Sequence, residues 1–154
     1  LVLKKIPSKL FLVGDGPERM NIEILCRQLG NCDQVRFLGK QDAVEELLAV
    51  SDLFILPSET ESFGLAALEA MAVEVPVISS DAGGIPEINI NGKTGFMSKV
   101  GDYADMAKNA IYILEDETRL KGFKKNVLEH AKTFDIAKIL PKYEDYYAQI
   151  IKQG

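Results

Sequence analysis

Residues 51–72, S-D-L-F-I-L-P-S-E-T-E-S-F-G-L-A-A-L-E-A-M-A, decide the fold of this chain. The short apolar run 53–56 is typical of a strand that is covered on both faces of a parallel sheet. A polar loop follows at 57–62, and from Phe63 small and apolar residues continue at helical spacing. A strand, a loop and a helix in this order predict one unit of an α/β fold.

Two carboxylates flank and enter that helix, Glu61 before its first turn and Glu69 within it. Because the helix carries few other polar groups, we expect it to be buried nearly all round, so that Glu69 needs a hydrogen-bonding partner. Free N–H groups at the helix start favour an anion such as phosphate, and Gly64 lets a ligand approach the backbone. Glu69 lies about 8 Å along the axis from that start. The pattern therefore predicts a site for a nucleotide sugar, whose phosphate lies between two sugars.

Two simpler interpretations of the same carboxylates stay open. Glu61 could serve only as a partner of the helix dipole, since acidic residues are common before a helix. Glu69 could pair with a lysine or arginine of the same domain.

Bulk composition limits the class of protein. The chain has 154 residues, 47% of them hydrophobic and 27% charged, with a net charge of −5, which is typical of one globular domain. That charge does not favour nucleic acid as a partner, and no apolar run approaches the roughly 18 residues of a membrane span. Cys26 and Cys32 fit neither a redox pair nor a zinc site, so we expect reduced thiols and a cytoplasmic location. The apolar pattern at the first residues indicates a piece of a longer protein.

Alternation of strands and helices continues along the chain. Strands are predicted at 10–13, 35–38, 53–56, 75–78 and 94–97, and the helices at 17–29, 42–50 and 63–72 follow the first three of them. Further helices are predicted at 102–114, 117–131 and 135–152, and a helix end at 1–6. This order predicts a Rossmann-like, doubly wound parallel sheet that ends in helices, with ligands bound beyond the carboxyl ends of the strands. The loops that leave those ends contain Gly14, Gly39, Glu61 and Gly83.

Three features have plainer explanations than chemistry. Gly14 and Gly16 begin a dinucleotide-binding pattern, but Arg19 stands where its third glycine would fall, so a structural turn is the better interpretation. The aromatic and aliphatic stripe of the last helix predicts a packing surface, which could dock against a neighbouring domain. His130 is flanked by polar residues, which favours a solvated helix face over catalysis.

Several motifs resemble those of one family, the retaining glycosyltransferases of family 4. Residues 57–64 together with Glu69 resemble its E-x7-E signature, and residues 13–17 and 83–87 resemble two further marks, in the same order. The resemblance covers essentially all of 1–154. It implies the C-terminal, donor-binding half of a GT-B fold that lacks the acceptor domain and the earlier segment with the family's diphosphate-binding Arg and Lys. Partners would be the nucleotide sugar and the missing domain.

The resemblance also implies roles for individual residues. Glu61 would contact the donor sugar near the reacting carbon, and Glu69 would bind both ribose hydroxyls. Gly39 and Lys40 would lie against the base. The remaining donor contacts implied are Gly14, Ser62, Phe63, Gly64 and Leu65. Transfer would keep the anomeric configuration without a metal or cofactor.

More narrowly, segments 37–42 and 57–65 resemble the branch of the family that moves GlcNAc from UDP-GlcNAc to L-malate in bacillithiol synthesis. Two alternatives stay open beside this one. The first is a nucleotide-sugar-binding module without catalysis, and the second is a sugar-nucleotide epimerase of GT-B shape.

Overall fold

A computed structural model describes residues 1–153 of the chain, and within them parallel strands alternate with helices. The strands are β1 (Leu10–Val13), β2 (Val35–Gly39), β3 (Phe54–Leu56), β4 (Val77–Ser80) and β5 (Gly95–Ser98). The helices are α1 (Arg19–Gln28), α2 (Val44–Ala49), α3 (Leu65–Ala72), α4 (Ile85–Ile88), α5 (Tyr103–Leu114), α6 (Glu117–Ala131) and α7 (Ile136–Gln153). Short 3-10 turns lie at Val2–Lys4, Cys32–Gln34 and Lys132–Phe134.

All strand pairs in the described chain are parallel, as the sequence predicts. β1 pairs with β2, and the order of the other sheet is β3-β4-β5. In the first pair the register shifts between Leu12 and Val13, at the carboxyl end, so that Val13 aligns with Gly39. The irregularity falls next to two loops that the resemblance assigns to the donor.

Burial is greatest around β4, the central strand, of which every residue is buried. One apolar cluster joins it to α3 and α4, and a second joins it to α5 and α6. The prediction that the strand at 53–56 is covered on both faces is wrong, and so is the prediction that the strand at 10–13 is buried. Phe11 and Ile55 are each 39% exposed, because the described chain leaves that face of β1 and β3 uncovered.

A buried amide holds β4 and β5 together. The Asn89 side chain is fully buried and donates to the carbonyl oxygens of Val77 and Phe96, at 3.2 Å each, and to Ser79 Oγ at 2.8 Å. The Asn89 Oδ1 atom accepts a hydrogen bond from Thr94 Oγ1 at 2.9 Å. Every polar atom of this amide therefore has a partner, as a buried polar group requires.

The helical end agrees closely with expectation. Asp102 caps α5 and Asp116 caps α6 through their side chains, and α6 has the predicted bounds. The stripe of α7 is exposed along its length, with Tyr146 and Tyr147 each 60% exposed.

The first residues form one 3-10 turn instead of the predicted helix end, and Val2 packs against the second apolar cluster.

His130 is placed differently from the prediction. Its ring is half buried and meets the ring of Phe134 edge to face, with 5.3 Å between centroids. The Nε2 atom is buried and has no hydrogen-bond partner among residues 1–153. The prediction that His130 lies on a solvated face is therefore wrong, because the turn after α6 folds back over the ring.

Among the described helices, none is long and apolar enough to span a membrane.

Candidate functional site

Two loops at the carboxyl ends of β3 and β4 lie directly against each other. After β3 the chain runs through residues 57–64 into α3, and after β4 it runs through 81–84 into α4. The Gly84 N–H donates to the carbonyl oxygen of Glu61 at 3.4 Å. The Ser80 hydroxyl, at the end of β4, donates to the carbonyl oxygen of Ser58. The polar end of one strand thus orders the loop that follows the other.

The contact between these loops requires glycine. A Cβ on Gly83 would stand 1.5 Å from the carbonyl oxygen of Glu61, and one on Gly84 would stand 2.5 Å from that of Ser62. Both distances are shorter than any real Cβ contact, and the obstacle is backbone, which cannot move aside as a side chain can. The pair Gly83–Gly84, which the sequence places in a family motif and in a loop at a strand end, therefore supports the backbone of the Glu61 loop.

Glu61 is half buried at the centre of this contact. Its carboxylate accepts the N–H of Ser62 at 3.1 Å, while its carbonyl oxygen faces the glycine pair. The backbone of Glu61 is therefore fixed on one side, and a single hydrogen bond from the next residue orients its carboxylate. No salt bridge to Glu61 forms within the described chain.

The start of α3 combines an exposed residue, Phe63, with a buried one, Gly64. Gly64 precedes the helix with φ of 95°, a left-handed conformation that favours glycine, and no side chain caps the helix. A Cβ there would also meet Ile85 at 2.5 Å. The N–H groups of Phe63 and Gly64 donate to no acceptor in residues 1–153. These donors and the helix dipole together suit an anion.

Glu69 is exposed, so the prediction of a carboxylate buried nearly all round is wrong. One side of α3 is covered by β4, α4 and α6, through Ala67, Ala70 and Met71. The other side carries Leu65, which is 62% exposed, and Glu69 one turn later. Glu69 makes no hydrogen bond or salt bridge within the described residues. The interpretation of Glu69 as half of an internal ion pair therefore fails, and its carboxylate is free on an otherwise apolar open face.

A second group of predicted residues meets at the ends of β1 and β2. The Gly14 N–H donates to the carbonyl oxygen of Gly39 at 2.7 Å, and both glycines have positive φ, 111° and 66°. Lys40 follows on the exposed surface. The structure thus places Gly14, Gly39 and Lys40 in one group. Residues 61–65 and Glu69 form a second group. No hydrogen bond joins the two groups in the part of the chain described.

Solved structures define the class of protein that has this arrangement. The chain superposes on a sucrose-phosphate synthase from Thermosynechococcus elongatus with a TM-score of 0.86 and 29% identity, over 99% of this chain and 41% of that one. It superposes on the Anabaena protein HepE in complex with UDP with a TM-score of 0.84 and 28% identity, over 92% and 41%. The fold is that of the Rossmann-like domain in GT-B glycosyltransferases.

The sequence comparison identifies the family. Residues 2–130 match the model of the glycosyl transferases group 1, and the chain belongs to that family. It is similar to the N-acetyl-alpha-D-glucosaminyl L-malate synthase of Bacillus anthracis, with 45% identity over 152 residues. That alignment covers 98% of this chain but 40% of the relative, so the chain spans less than half the length of this curated relative.

Proposed function

We propose that this chain is the donor-binding domain of a retaining glycosyltransferase and that it binds a UDP-sugar, with an acceptor domain elsewhere in the same protein. The observation that carries the proposal is the Glu69 carboxylate, which has no partner within residues 1–153. It lies on the open face of α3, one turn after Leu65, and the same helix begins at the Glu61 loop. A carboxylate without a partner on an apolar face is suited to a diol, because one carboxylate accepts two hydroxyl hydrogens.

The base, the diphosphate and the sugar of a UDP-sugar each have a complementary group. As the family resemblance implies, Gly39 and Lys40 at the end of β2 would lie against the base. The N–H groups of Phe63 and Gly64 have no acceptor in the described part of the chain and are suited to the diphosphate at the start of α3. Glu61, held in place by the glycine pair, would contact the sugar. Departure of UDP leaves negative charge on the diphosphate, and donors that are already oriented stabilise that charge without reorganisation. This electrostatic term, rather than a covalent bond to Glu61, would be the main contribution of the domain to transfer, which would need no metal.

The finer identity of the substrates follows the comparisons. HepE was solved in complex with UDP, which supports a uridine donor for this chain. The identity of 45% with a synthase whose name specifies N-acetylglucosamine and L-malate supports UDP-GlcNAc as donor and L-malate as acceptor. Because that relative is more than twice as long, the acceptor site would lie outside these residues.

Calorimetry of UDP binding to the purified chain tests the proposal through Glu69. Glu69→Gln keeps the shape of the side chain but removes the charge. It should weaken UDP binding about 100-fold, since two charge-assisted hydrogen bonds are each worth about 1.5 kcal/mol or more. Glu129→Gln, the same change at an exposed position of α6, should leave the affinity unchanged. Equal UDP affinities for the wild type and Glu69→Gln would refute the assignment.

A further inference from the structure

Arg19 lies at the start of α1, beside Gly39. The hydrogen bond from Gly14 to Gly39 joins the ends of β1 and β2 at this point. The guanidinium carbon of Arg19 stands 5.9 Å from the centre of the Phe37 ring, within the range of a cation–π contact. Its Nη1 atom is 3.8 Å from the point where a Cβ on Gly39 would stand. Since Gly39 has no Cβ, the guanidinium lies directly against open backbone at the end of β2.

Two carboxylates hold the guanidinium in this position. Arg19 Nε donates to Glu23 Oε1 at 3.1 Å, and Nη1 is 3.9 Å from Asp15 Oδ1. Asp15 is itself held by the N–H of Gly16, at 3.0 Å. The planar group is therefore oriented from two sides and supported by an aromatic ring, although 42% of the side chain is exposed.

Most of the donors of this guanidinium are unused. An arginine carries five N–H groups. Within residues 1–153, Nε alone has a hydrogen-bond acceptor, because the distance from Nη1 to Asp15 exceeds the hydrogen-bond range. Four N–H groups thus remain available within those residues, and Nη1 lies beside Gly39. A guanidinium that is held in place with free donors is arranged to recognise an acceptor.

We propose that Arg19 donates a hydrogen bond to a carbonyl oxygen of the pyrimidine base and so favours uracil over adenine. The inference rests on the proposed function, in which Gly39 and Lys40 lie against the base. Uracil presents two carbonyl acceptors, whereas adenine accepts only through ring nitrogens and carries an amino group at its exocyclic position. A group that only donates meets another donor there. Arg19 is therefore a specificity residue that the glycine pattern alone did not reveal.

Binding of UDP and ADP to the chain and its variants, by calorimetry, tests this role. Arg19→Ala should lower UDP affinity about tenfold, the loss expected for one charged hydrogen bond in a partly exposed site, and ADP affinity less than about threefold. Arg19→Lys keeps the charge without the planar fork and should recover only part of the loss. The matched control is Arg27→Ala, which removes another arginine of α1 that pairs with Glu23, about 12 Å further along the helix. It should change neither affinity.

The outcomes of this experiment distinguish the base contact of Arg19 from the proposed donor site on which it rests. Circular dichroism of each variant would check that α1 is still folded. If Arg19→Ala reduces the two affinities equally, or leaves both unchanged, Arg19 only forms ion pairs and the inference is wrong, while Glu69-dependent UDP binding still supports the donor site. If the wild-type chain binds neither nucleotide, the donor site itself fails, and the base contact fails with it.

Discussion

Substitution of Gly83 by alanine should separate the two loops that form the candidate site. The new Cβ would stand 1.5 Å from the carbonyl oxygen of Glu61, whereas real contacts are no shorter than 3.0 Å. The loops must therefore move apart by at least 1.5 Å, the difference between these distances. The obstacle is backbone on both sides, so a change of rotamer cannot relieve the contact.

Two costs add at Gly83, and a second glycine separates them. Gly83 has φ of +53°, in which alanine costs about 1 kcal/mol, and the steric overlap should cost about 2 kcal/mol more. Gly92 has a similar φ of +73°, but a Cβ there would meet nothing within 4 Å. Gly92→Ala should therefore lower the free energy of unfolding by about 1 kcal/mol, and Gly83→Ala by about 3 kcal/mol.

Urea unfolding of both variants and calorimetry with UDP-GlcNAc measure these effects. Because the Gly83 loop supports the backbone of Glu61, Gly83→Ala should also weaken donor binding about tenfold, while Gly92→Ala leaves it unchanged. If both variants lose the same free energy of unfolding and bind the donor equally well, the loops are not held by the contact described above.

Two further predictions concern buried groups away from the loops. Asn89→Ala should lower the free energy of unfolding in urea by about 3 kcal/mol, because it leaves buried polar partners unsatisfied. The control Asn21→Ala, on the exposed face of α1, should lower it by less than about 0.5 kcal/mol. Similar losses in the two variants would contradict the buried network. The pKa of Cys26 is raised from 9.0 to about 11, mainly by a hydrogen bond with the Cys32 thiol and to a smaller extent by burial. The folded state therefore holds this proton more tightly, and stability should fall as the pH rises from about 9 to about 11. In Cys32→Ala the pH midpoint of Cys26 alkylation, followed by mass spectrometry, should move down toward 9.0, and an unchanged midpoint would show that Cys32 does not act on this thiol.

Local pattern was sufficient for much of the fold. The 117–131 helix has the predicted bounds because an aspartate caps its start and its apolar spacing is regular. Parallel pairing followed from the alternation of strands and helices. The motif residues of the Glu61 loop and the two glycines at 14 and 39 also lie at strand ends, as predicted.

The sequence did not predict correctly which faces of the helices and strands are buried. Helical period shows which residues share a face of α3, but not which face another element covers. Composition therefore predicted a buried Glu69 where the structure leaves it exposed. The same limitation explains the one-sided burial of β1 and β3 and the half-buried ring of His130, because neighbours distant in the sequence determine each environment.

By itself, the sequence determined the order of strands and helices, the places where loops leave the sheet and the spacing of the two carboxylates, since these depend on residues close together in the chain. Only the tertiary structure decided that Gly83 supports Glu61, that Glu69 has no partner among the residues described, and that the guanidinium of Arg19 lies against Gly39. Each of these depends on segments that are brought together by packing, and the physical reason is steric. Contacts of a few ångströms are set by the shapes of facing surfaces, which no local pattern contains.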